Sequence, residues 1–526
     1  MAGTRDARPL VHTRAAAVLF NSYEFIFVFF PLTFAGFFLV ARRSRKAAAA
    51  LLAAASLFFY GWWSVKALPL LVASVAFNYL AGRRLAGLAA AGDAAAGKRA
   101  LAVALVVNLG LLAFFKYANF FIGNANYALE ALHQPRLAAV NILLPIGISF
   151  FTFTQIAFLV DCWEGKVKEA NFVHYALFVT YFPHLIAGPV LHHGQMMPQF
   201  ARAETYRPDA DHITMGFTVF AIGMAKKLLI ADPLAAYADL LFRGVTDGVV
   251  PQLVLSWFGV LAYTFQIYFD FSGYSDMAIG LSLMLGITLP INFNSPYKAT
   301  SIIDFWRRWH ISLSVFLRDY LYIPLGGNRY GAIRRHANLL TTMVLGGLWH
   351  GASWTFVLWG AAHGALLVIN HGWRALRGVP KSGTWRTGVS WAITFLSVCF
   401  TWVLFRADSF ASALTIYRGM LGLNGVTLPA SLSALGPWLQ PFGVRFDDLW
   451  QHLPFADLAT TDFALLIGVA AAAAFLFPNT NELRPRPDAP RTGYWRSYAA
   501  GACCAAAFLL SLSAITKPSP FLYFQF

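Results

Sequence analysis

The chain has 526 residues, of which 58% are hydrophobic and only 12% are charged. A soluble protein usually carries about 25% charged residues, so this composition excludes an ordinary soluble globule. The formal net charge is +16, but the basic residues occupy short loops between apolar runs. That distribution argues against nucleic acid as a partner and is typical of a protein embedded in membrane lipid.

The first 17 residues are rich in Arg and Ala and lack the uninterrupted apolar region of a signal peptide. We expect residues 1–17 to be a dispensable or non-native leader, with the natural start at Val18. Residues 18–526 contain no flexible linker or repeat. We therefore expect them to form a single membrane domain.

The apolar residues come in long runs, and a bilayer core of ~30 Å requires roughly 20 helical residues to cross it. Such runs predict about eleven tilted spanning or re-entrant helices. Because the backbone in lipid must satisfy its own hydrogen bonds, we expect an all-α polytopic membrane fold. The clearest runs are Phe25–Val40, Ala47–Trp63, Leu101–Phe115, Leu137–Val160 and Thr461–Phe477.

Basic residues cluster in every second loop between the early apolar runs, which is the positive-inside pattern. These loops are predicted to face the cytoplasm, so the first span starts outside. The clusters are Arg42, Arg43, Arg45 and Lys46, then Arg83, Arg84, Lys98 and Arg99, then Lys166 and Lys168.

Two aspartates, Asp270 and Asp276, lie in the apolar context of residues 268–280. Paired carboxylates suit acid–base chemistry, and that interpretation stays open. Buried charges also need counter-charges, so we favour ion pairs between these aspartates and arginines of the following segment. The arginines in question are Arg307, Arg308 and Arg318.

Residues 296–335 are too charged to cross the membrane. Asp304–Asp319 includes five charged residues, which would cost about 15 kcal/mol in a lipid-facing span at about 3 kcal/mol each. Apolar residues nevertheless recur there at helical spacing. This pattern predicts an amphipathic or re-entrant helix with His310 beside its apolar stripe, followed by a turn at the Pro and Gly residues 324–327.

His350 lies in the uncharged apolar run of residues 345–360. Desolvation favours the neutral imidazole, which is the form that accepts a proton. Gly346, Gly347 and Gly351 remove side-chain bulk, so a substrate or another helix can approach closely. From the pattern alone, His350 is either a functional base or a histidine that only hydrogen-bonds between helices.

His310 also permits two interpretations, a functional histidine or one at the surface of an amphipathic helix. Neither His310 nor His350 has a carboxylate or thiolate at metal-ligand spacing, so we expect no metal. Three further histidines, His184, His192 and His193, surround a break rich in Pro and Gly, and a position in a loop is enough to explain them.

Nine segments in order resemble the membrane-bound O-acyltransferase family, in the bacterial branch that includes alginate O-acetylases and peptidoglycan O-acetyltransferases. One of them is the Gly-Gly-Leu-Trp-His-Gly stretch that contains His350. The resemblance covers residues 18–526. The segments are 19–25, 144–150, 182–189, 270–280, 304–314, 322–329, 346–354, 402–407 and 521–526.

The resemblance implies a ring of helices around a central funnel, with His350 as the catalytic histidine and His310 as the second functional polar residue. It implies acyl transfer from a cytoplasmic thioester, with acetyl-CoA as the expected donor and no bound cofactor. The implied acceptor is an exported polysaccharide, alginate-like or of the cell wall, reached through a periplasmic SGNH-type acetyltransferase. The implied location is the bacterial inner membrane. Relatives in this branch also serve teichoic-acid D-alanylation, so the acyl group stays open.

Two further roles follow from the resemblance. Arg307, Arg308 and Arg318 suit the phosphates of coenzyme A, because guanidinium groups bind phosphate bidentately, although charge pairing explains them equally well. Tyr523 would relay the acyl group to an extracellular partner, or would anchor an aromatic tail, residues 521–526, at the interface. A transporter or channel, and a membrane scaffold for periplasmic acetylation enzymes, are the alternative functions.

Overall fold

A computed structural model describes residues 19–167, 171–186, 188–378, 383–447, 460–483, 498–515 and 521–522. The predicted leader, residues 1–17, lies outside the described residues, and so does Tyr523.

The regular secondary structure of the described residues is almost entirely helical. The first half contains α1 (Phe30–Ala41), α2 (Arg45–Trp63), α3 (Leu68–Ala90), α4 (Ala94–Leu112), α5 (Ala118–Ala131), α6 (Ile148–Trp163), α7 (Phe172–Thr180), α8 (Phe182–Leu185), α9 (His193–Ala201), α10 (Ala210–Ala225), α11 (Asp232–Thr246) and α12 (Leu253–Met284). The second half contains α13 (Ile302–Arg308), α14 (Ile311–Leu317), α15 (Gly331–His350), α16 (Trp354–Arg377), α17 (Thr384–Arg406), α18 (Phe410–Met420), α19 (Gly436–Leu439), α20 (Thr460–Phe475) and α21 (Tyr498–Ser513).

The other regular elements of the described structure are short. Four are 3₁₀ turns, at Glu204–Tyr206, Pro296–Lys298, Ala430–Leu435 and Gln440–Phe442. The π-helical turns are Phe25–Phe29, Ala113–Tyr117, Lys226–Ala231 and Arg318–Tyr322. Two short strands, β1 (Val426–Pro429) and β2 (Val444–Asp447), pair in parallel, with Val426 opposite Val444.

Within the described ranges, four continuous helical stretches are long and apolar enough to cross a membrane, and four apolar helices are shorter. The long stretches are Ala94–Ala131, Ala210–Thr246, Leu253–Met284 and Thr384–Arg406. Large apolar side chains such as Leu32 and Val106 are each 70% exposed, as expected where lipid covers them. The all-α polytopic class is thereby confirmed, whereas the expected number of about eleven spanning or re-entrant helices stays a prediction.

Helix α12 runs through the core, and almost all of its residues are buried. It crosses α10 where glycines face glycines. A Cβ on Gly280 would lie 2.5 Å from the carbonyl oxygen of Gly216, and a Cβ on Gly273 would lie 2.7 Å from that of Gly223. Small residues allow helix backbones in membranes to approach this closely, because packing rather than water exclusion drives their association. The two backbones therefore touch at this crossing.

The segment 296–335 differs from the single amphipathic helix predicted for it. His310 adopts the left-handed conformation, with φ 43° and ψ 54°, and separates α13 from α14. The preceding segment fills the break, because the Asn294 N–H donates to the Arg308 carbonyl and the Ile311 N–H donates to the Asn292 carbonyl. Backbone groups that a continuous helix would pair internally are thus satisfied by a neighbouring extended segment.

Replacing Gly280 tests the crossing of α10 and α12. The Gly280→Leu side chain would meet the α10 backbone, so we expect the free energy of unfolding to fall by about 3 kcal/mol. Thermal unfolding of the purified protein in detergent measures the loss. Gly110→Leu is the matched control, because nothing lies within 4 Å of a Cβ on that spanning glycine. Equal stability of the two variants would contradict the close crossing.

Candidate active site

His310 and His350 come together in the interior. His350 is the last residue of α15 and is only 5% exposed, whereas His310 is fully buried. Their ring centroids lie 6.3 Å apart, although 40 residues separate them in sequence. The structure thus brings together the two histidines that the sequence analysis selected.

Aromatic side chains surround His350. The ring centroids of Trp349, Trp359 and Phe405 lie 5.0, 5.1 and 5.2 Å from that of the imidazole. Gly347 lets α16 approach the end of α15, since a Cβ there would lie 2.2 Å from the Phe356 carbonyl oxygen. Of the two explanations offered for Gly347, helix approach is therefore the one that the structure supports.

Hydrogen bonds fix the tautomer of His310. The Ser312 N–H and hydroxyl both bond to Asn292 Oδ1, at 3.3 and 2.9 Å, and a backbone N–H can only donate. Asn292 Oδ1 is therefore an acceptor, so His310 Nδ1, 3.1 Å away, carries the proton and donates it. The lone pair lies on Nε2 of His310, which makes that nitrogen able to accept a proton.

The surroundings of the two histidines favour neutral, proton-accepting forms. His310 lies in the connection between α12 and α15, and burial lowers its pKa to about 3. Three buried N–H donors near the rings have no hydrogen-bond partner among the described residues. An oxygen atom of a ligand would satisfy such donors, since leaving one unpaired costs about 1–3 kcal/mol. The donors are Asn292 Nδ2, Trp349 Nε1 and Trp359 Nε1.

Sequence reasoning missed several residues of this site. His363 is fully buried one helical turn after Trp359, and its Nδ1 accepts a hydrogen bond of 3.3 Å from Trp306 Nε1. Lys116 Nζ donates to the backbone carbonyl of His350 at 3.1 Å. A charged residue within an apolar span is a signal that the sequence contained for Lys116. For Asn292, which precedes the break by 18 residues, we find no such signal.

The expected arginine partners of Asp270 and Asp276 are wrong. Lys227 Nζ lies 2.5 Å from Asp270, and Lys226 Nζ lies 2.6 Å from Asp276. Both lysines belong to the π-helical turn that follows α10, which the α10–α12 crossing holds against α12. Nearby lysines therefore supply the counter-charges, and acid–base work by the two aspartates is not needed to explain their burial.

The three arginines lie elsewhere. Arg308 pairs with Asp304 at 3.0 Å, and Arg318 pairs with Asp319 at 2.6 Å. These are pairings that the sequence analysis offered as an alternative to phosphate binding. Arg307 is exposed.

The start of the C-terminal tail returns to the core. The Leu522 N–H donates to Asp270 Oδ2 at 2.9 Å, and the Phe521 ring stacks on Tyr274 at 4.7 Å. Phe521 also lies 5.4 Å from Phe271, whose ring is 4.8 Å from that of His310. One aromatic ring therefore separates the described part of the tail from the histidine pair.

A second polar cluster surrounds Asp161. Its Oδ2 atom lies 2.7 Å from His192 Nε2, 3.0 Å from His193 Nε2 and 2.7 Å from the Tyr320 hydroxyl. Asp161, His192 and His193 have the composition of a metal site. However, His192 Nδ1 accepts the Gly194 N–H, so its Nε2 carries a proton and does not offer a lone pair. This geometry suits a hydrogen-bonded carboxylate, and the expected absence of a metal stays a prediction.

The buried ion pair at Asp270 makes a testable prediction. Lys227→Met would leave the Asp270 carboxylate buried without its counter-charge, so we expect a loss of about 3–5 kcal/mol in the free energy of unfolding. Thermal unfolding in detergent measures it. Arg243→Met is the control, since its ion pair with Asp239 is largely exposed and should contribute less than about 1 kcal/mol. Comparable losses in both variants would count against a stabilising role for the buried pair.

Comparison with known proteins shows the family of this chain. Residues 94–413 match the model of MBOAT, the membrane-bound O-acyltransferase family. The chain is 42% identical to a peptidoglycan O-acetyltransferase of Helicobacter pylori, over 79% of this chain and 82% of that protein. It is 45% identical to a probable alginate O-acetylase AlgI of Azotobacter vinelandii, over 78% of this chain and 79% of that protein. It is 38% identical to a probable alginate O-acetylase AlgI of Pseudomonas syringae pv. tomato, over 97% of this chain and 100% of that protein. The chain therefore belongs to the membrane-bound O-acyltransferase family and is an acyltransferase of the membrane.

Proposed function

We propose that this enzyme moves an acetyl group from a cytoplasmic thioester, acetyl-CoA, toward hydroxyls of an exported polysaccharide. The observation that carries the proposal is the meeting of His310 and His350, 6.3 Å apart, inside a membrane acyltransferase. Related proteins are named for the O-acetylation of peptidoglycan and of alginate. An alginate-like exopolysaccharide or a cell-wall glycan is therefore the proposed acceptor.

In the proposed reaction, His350 is the general base. It takes the proton of the attacking hydroxyl as the oxygen bonds to the thioester carbonyl carbon. When the carbon–sulfur bond breaks, His350 returns that proton to the leaving thiolate. A positioned base of this kind contributes typically 10² to 10⁴-fold to the rate. The aromatic surroundings of His350 support this role, because they keep the ring away from water and disfavour its charged form.

His310 is proposed to orient the acceptor or to stabilise the oxyanion. Its Nε2 lone pair can accept a hydrogen bond from an acceptor hydroxyl, which supports the first of these roles. The buried N–H groups of Asn292, Trp349 and Trp359 are better suited to a developing oxyanion, because they are donors. We therefore assign acceptor orientation to His310 and place oxyanion stabilisation with these N–H groups.

The donor is proposed to enter from the cytoplasm, which is the side that the positive-inside pattern predicts for the loops with Arg42 and Lys166. That orientation puts the start of the first span in the periplasm, and we place the protein in the bacterial inner membrane. The exposed Arg307 and Arg318 remain proposed contacts for the phosphates of the donor. A periplasmic SGNH-type acetyltransferase is the proposed partner that completes transfer to the glycan.

We further propose that Tyr523 relays the acyl group, in line with the family resemblance. Two contacts support this proposal, the hydrogen bond from the Leu522 N–H to Asp270 and the packing of Phe521 against Phe271. They bring the residues just before Tyr523 close to His310. The competing role, an aromatic anchor at the membrane interface, would not require contact with the core.

Replacing His350 tests the enzymatic role. In a deletion strain complemented with His350→Ala, we expect the O-acetyl content of the surface polysaccharide to fall at least 100-fold, because no base remains for the attacking hydroxyl. Mass spectrometry of the glycan measures it, and immunoblotting of membranes confirms equal protein levels. His371→Ala is the control, since His371 lies on α16 only partly buried.

Full acetylation with His350→Ala would favour a membrane scaffold for periplasmic enzymes. Movement of a solute across liposomes that contain the purified protein and no acyl donor would favour a transporter or channel. Either result would overturn the proposed reaction.

Tyr523→Phe tests the relay. The change removes only the hydroxyl, so we expect surface acetylation to be lost while purified protein still consumes acetyl-CoA with a small alcohol as acceptor. Tyr127→Phe, at a tyrosine that is 77% exposed, is the matched control. If Tyr523→Phe keeps full surface acetylation, the tyrosine is an anchor and not a relay.

A further inference from the structure

Lys116 is an intramembrane cation outside the histidine pair. It lies in the Ala94–Ala131 stretch, which is long and apolar enough to span the membrane, within the π-helical turn Ala113–Tyr117. Ionisable residues inside spanning segments are rare and usually functional, and π-helical turns occur frequently at functional sites. Both features call for a physical explanation of this lysine.

All three donors of the Lys116 ammonium have acceptors. Nζ donates to the carbonyl oxygens of Trp349 and His350 and to Ser149 Oγ, the latter two at 3.1 and 3.4 Å. The next residue, Tyr117, donates its hydroxyl to the Leu348 carbonyl at 2.8 Å. Two consecutive side chains of the π-helical turn thus bind three consecutive carbonyls at the end of α15.

These carbonyls belong to the turn that presents His350. The last four carbonyls of an α-helix have no partner within the helix, and the negative end of the helix dipole lies there. An ammonium group satisfies both conditions at once. Lys116 Nζ also lies 5.8 Å from the centroid of the Trp349 ring, which contacts both His350 and His310. The lysine therefore holds both the backbone of His350 and the aromatic ring beside it.

We propose that Lys116 is a positioning residue for His350, assisted by Tyr117. It fixes the final turn of α15, and through Ser149 it ties that turn to the start of α6. This inference rests on the proposed function, because it assumes that His350 performs the chemistry. Lys116 itself acts through the helix end and is not assigned a contact with the substrate.

The test compares Lys116→Met, Lys116→Arg and Tyr117→Phe in purified protein with acetyl-CoA and a small alcohol. A misplacement of about 1 Å at a reacting group can cost about a hundredfold in rate. We therefore expect Lys116→Met to lower kcat by about a hundredfold with little change in KM. Lys116→Arg, which keeps the charge and donors, should recover most of the rate, and Tyr117→Phe should cause a smaller loss of kcat. Lys98→Met is the control, since Lys98 lies exposed in the same helical stretch.

Wild-type kcat in Lys116→Met, with His350→Ala inactive, would overturn this inference and leave the proposed function intact. Activity in His350→Ala would overturn the proposed function itself. A fall in kcat that Lys116→Arg does not recover, or that matches an equal fall in the amount of folded protein, would also overturn the positioning role. If Lys116→Met fails to fold, Tyr117→Phe still tests the inference, because it removes only the hydrogen bond to the Leu348 carbonyl in the same turn of α15; wild-type kcat in Tyr117→Phe would then overturn the inference.

Discussion

The buried ion pair between Lys227 and Asp270 joins the parts of the molecule that meet at the histidines. The two carboxylate oxygens of Asp270 have different partners. Oδ1 lies 2.5 Å from Lys227 Nζ, and Oδ2 accepts a hydrogen bond from the Leu522 N–H. One residue further along α12, Phe271 contacts His310. A charge in this interior is tolerated only when it is paired, so α12, the turn after α10 and the start of the tail constrain one another.

That arrangement depends on how closely the helices approach. Gly216 and Gly223 of α10 face Gly280 and Gly273 of α12, and the contact brings Lys226 and Lys227 within reach of Asp276 and Asp270. A similar contact of Gly347 and Gly360 joins α15 to α16 and places Trp359 against His350. Glycines thus set the positions of the charged groups and of the aromatic ring beside His350, although they contribute no chemistry themselves.

The sequence predicted the class of fold, because long apolar runs are local signals, and it drew attention to two histidines that meet in the core, because isolated polar residues within such runs are local signals too. It did not predict the break at His310, since the left-handed conformation there depends on hydrogen bonds from the Asn292–Asn294 segment. The lysine partners of Asp270 and Asp276 were missed for the same reason. Lys226 precedes Asp276 by 50 residues, and no periodicity in a single sequence specifies which helices cross.

The two histidines are held in position by different contacts, and this difference bears on the roles proposed for them. His310 is fixed through its side chain, because Asn292 holds Nδ1 and determines the tautomer. His350 is fixed through its backbone, because Lys116 and Tyr117 bind the carbonyls of its helical turn. A ring held by a side-chain hydrogen bond keeps one tautomer and suits the orientation of a hydroxyl. A ring that is positioned through the backbone of its helical turn can take up and return a proton while its position stays constant. These two modes of support fit the proposed roles, in which His350 carries the proton and His310 orients the acceptor hydroxyl.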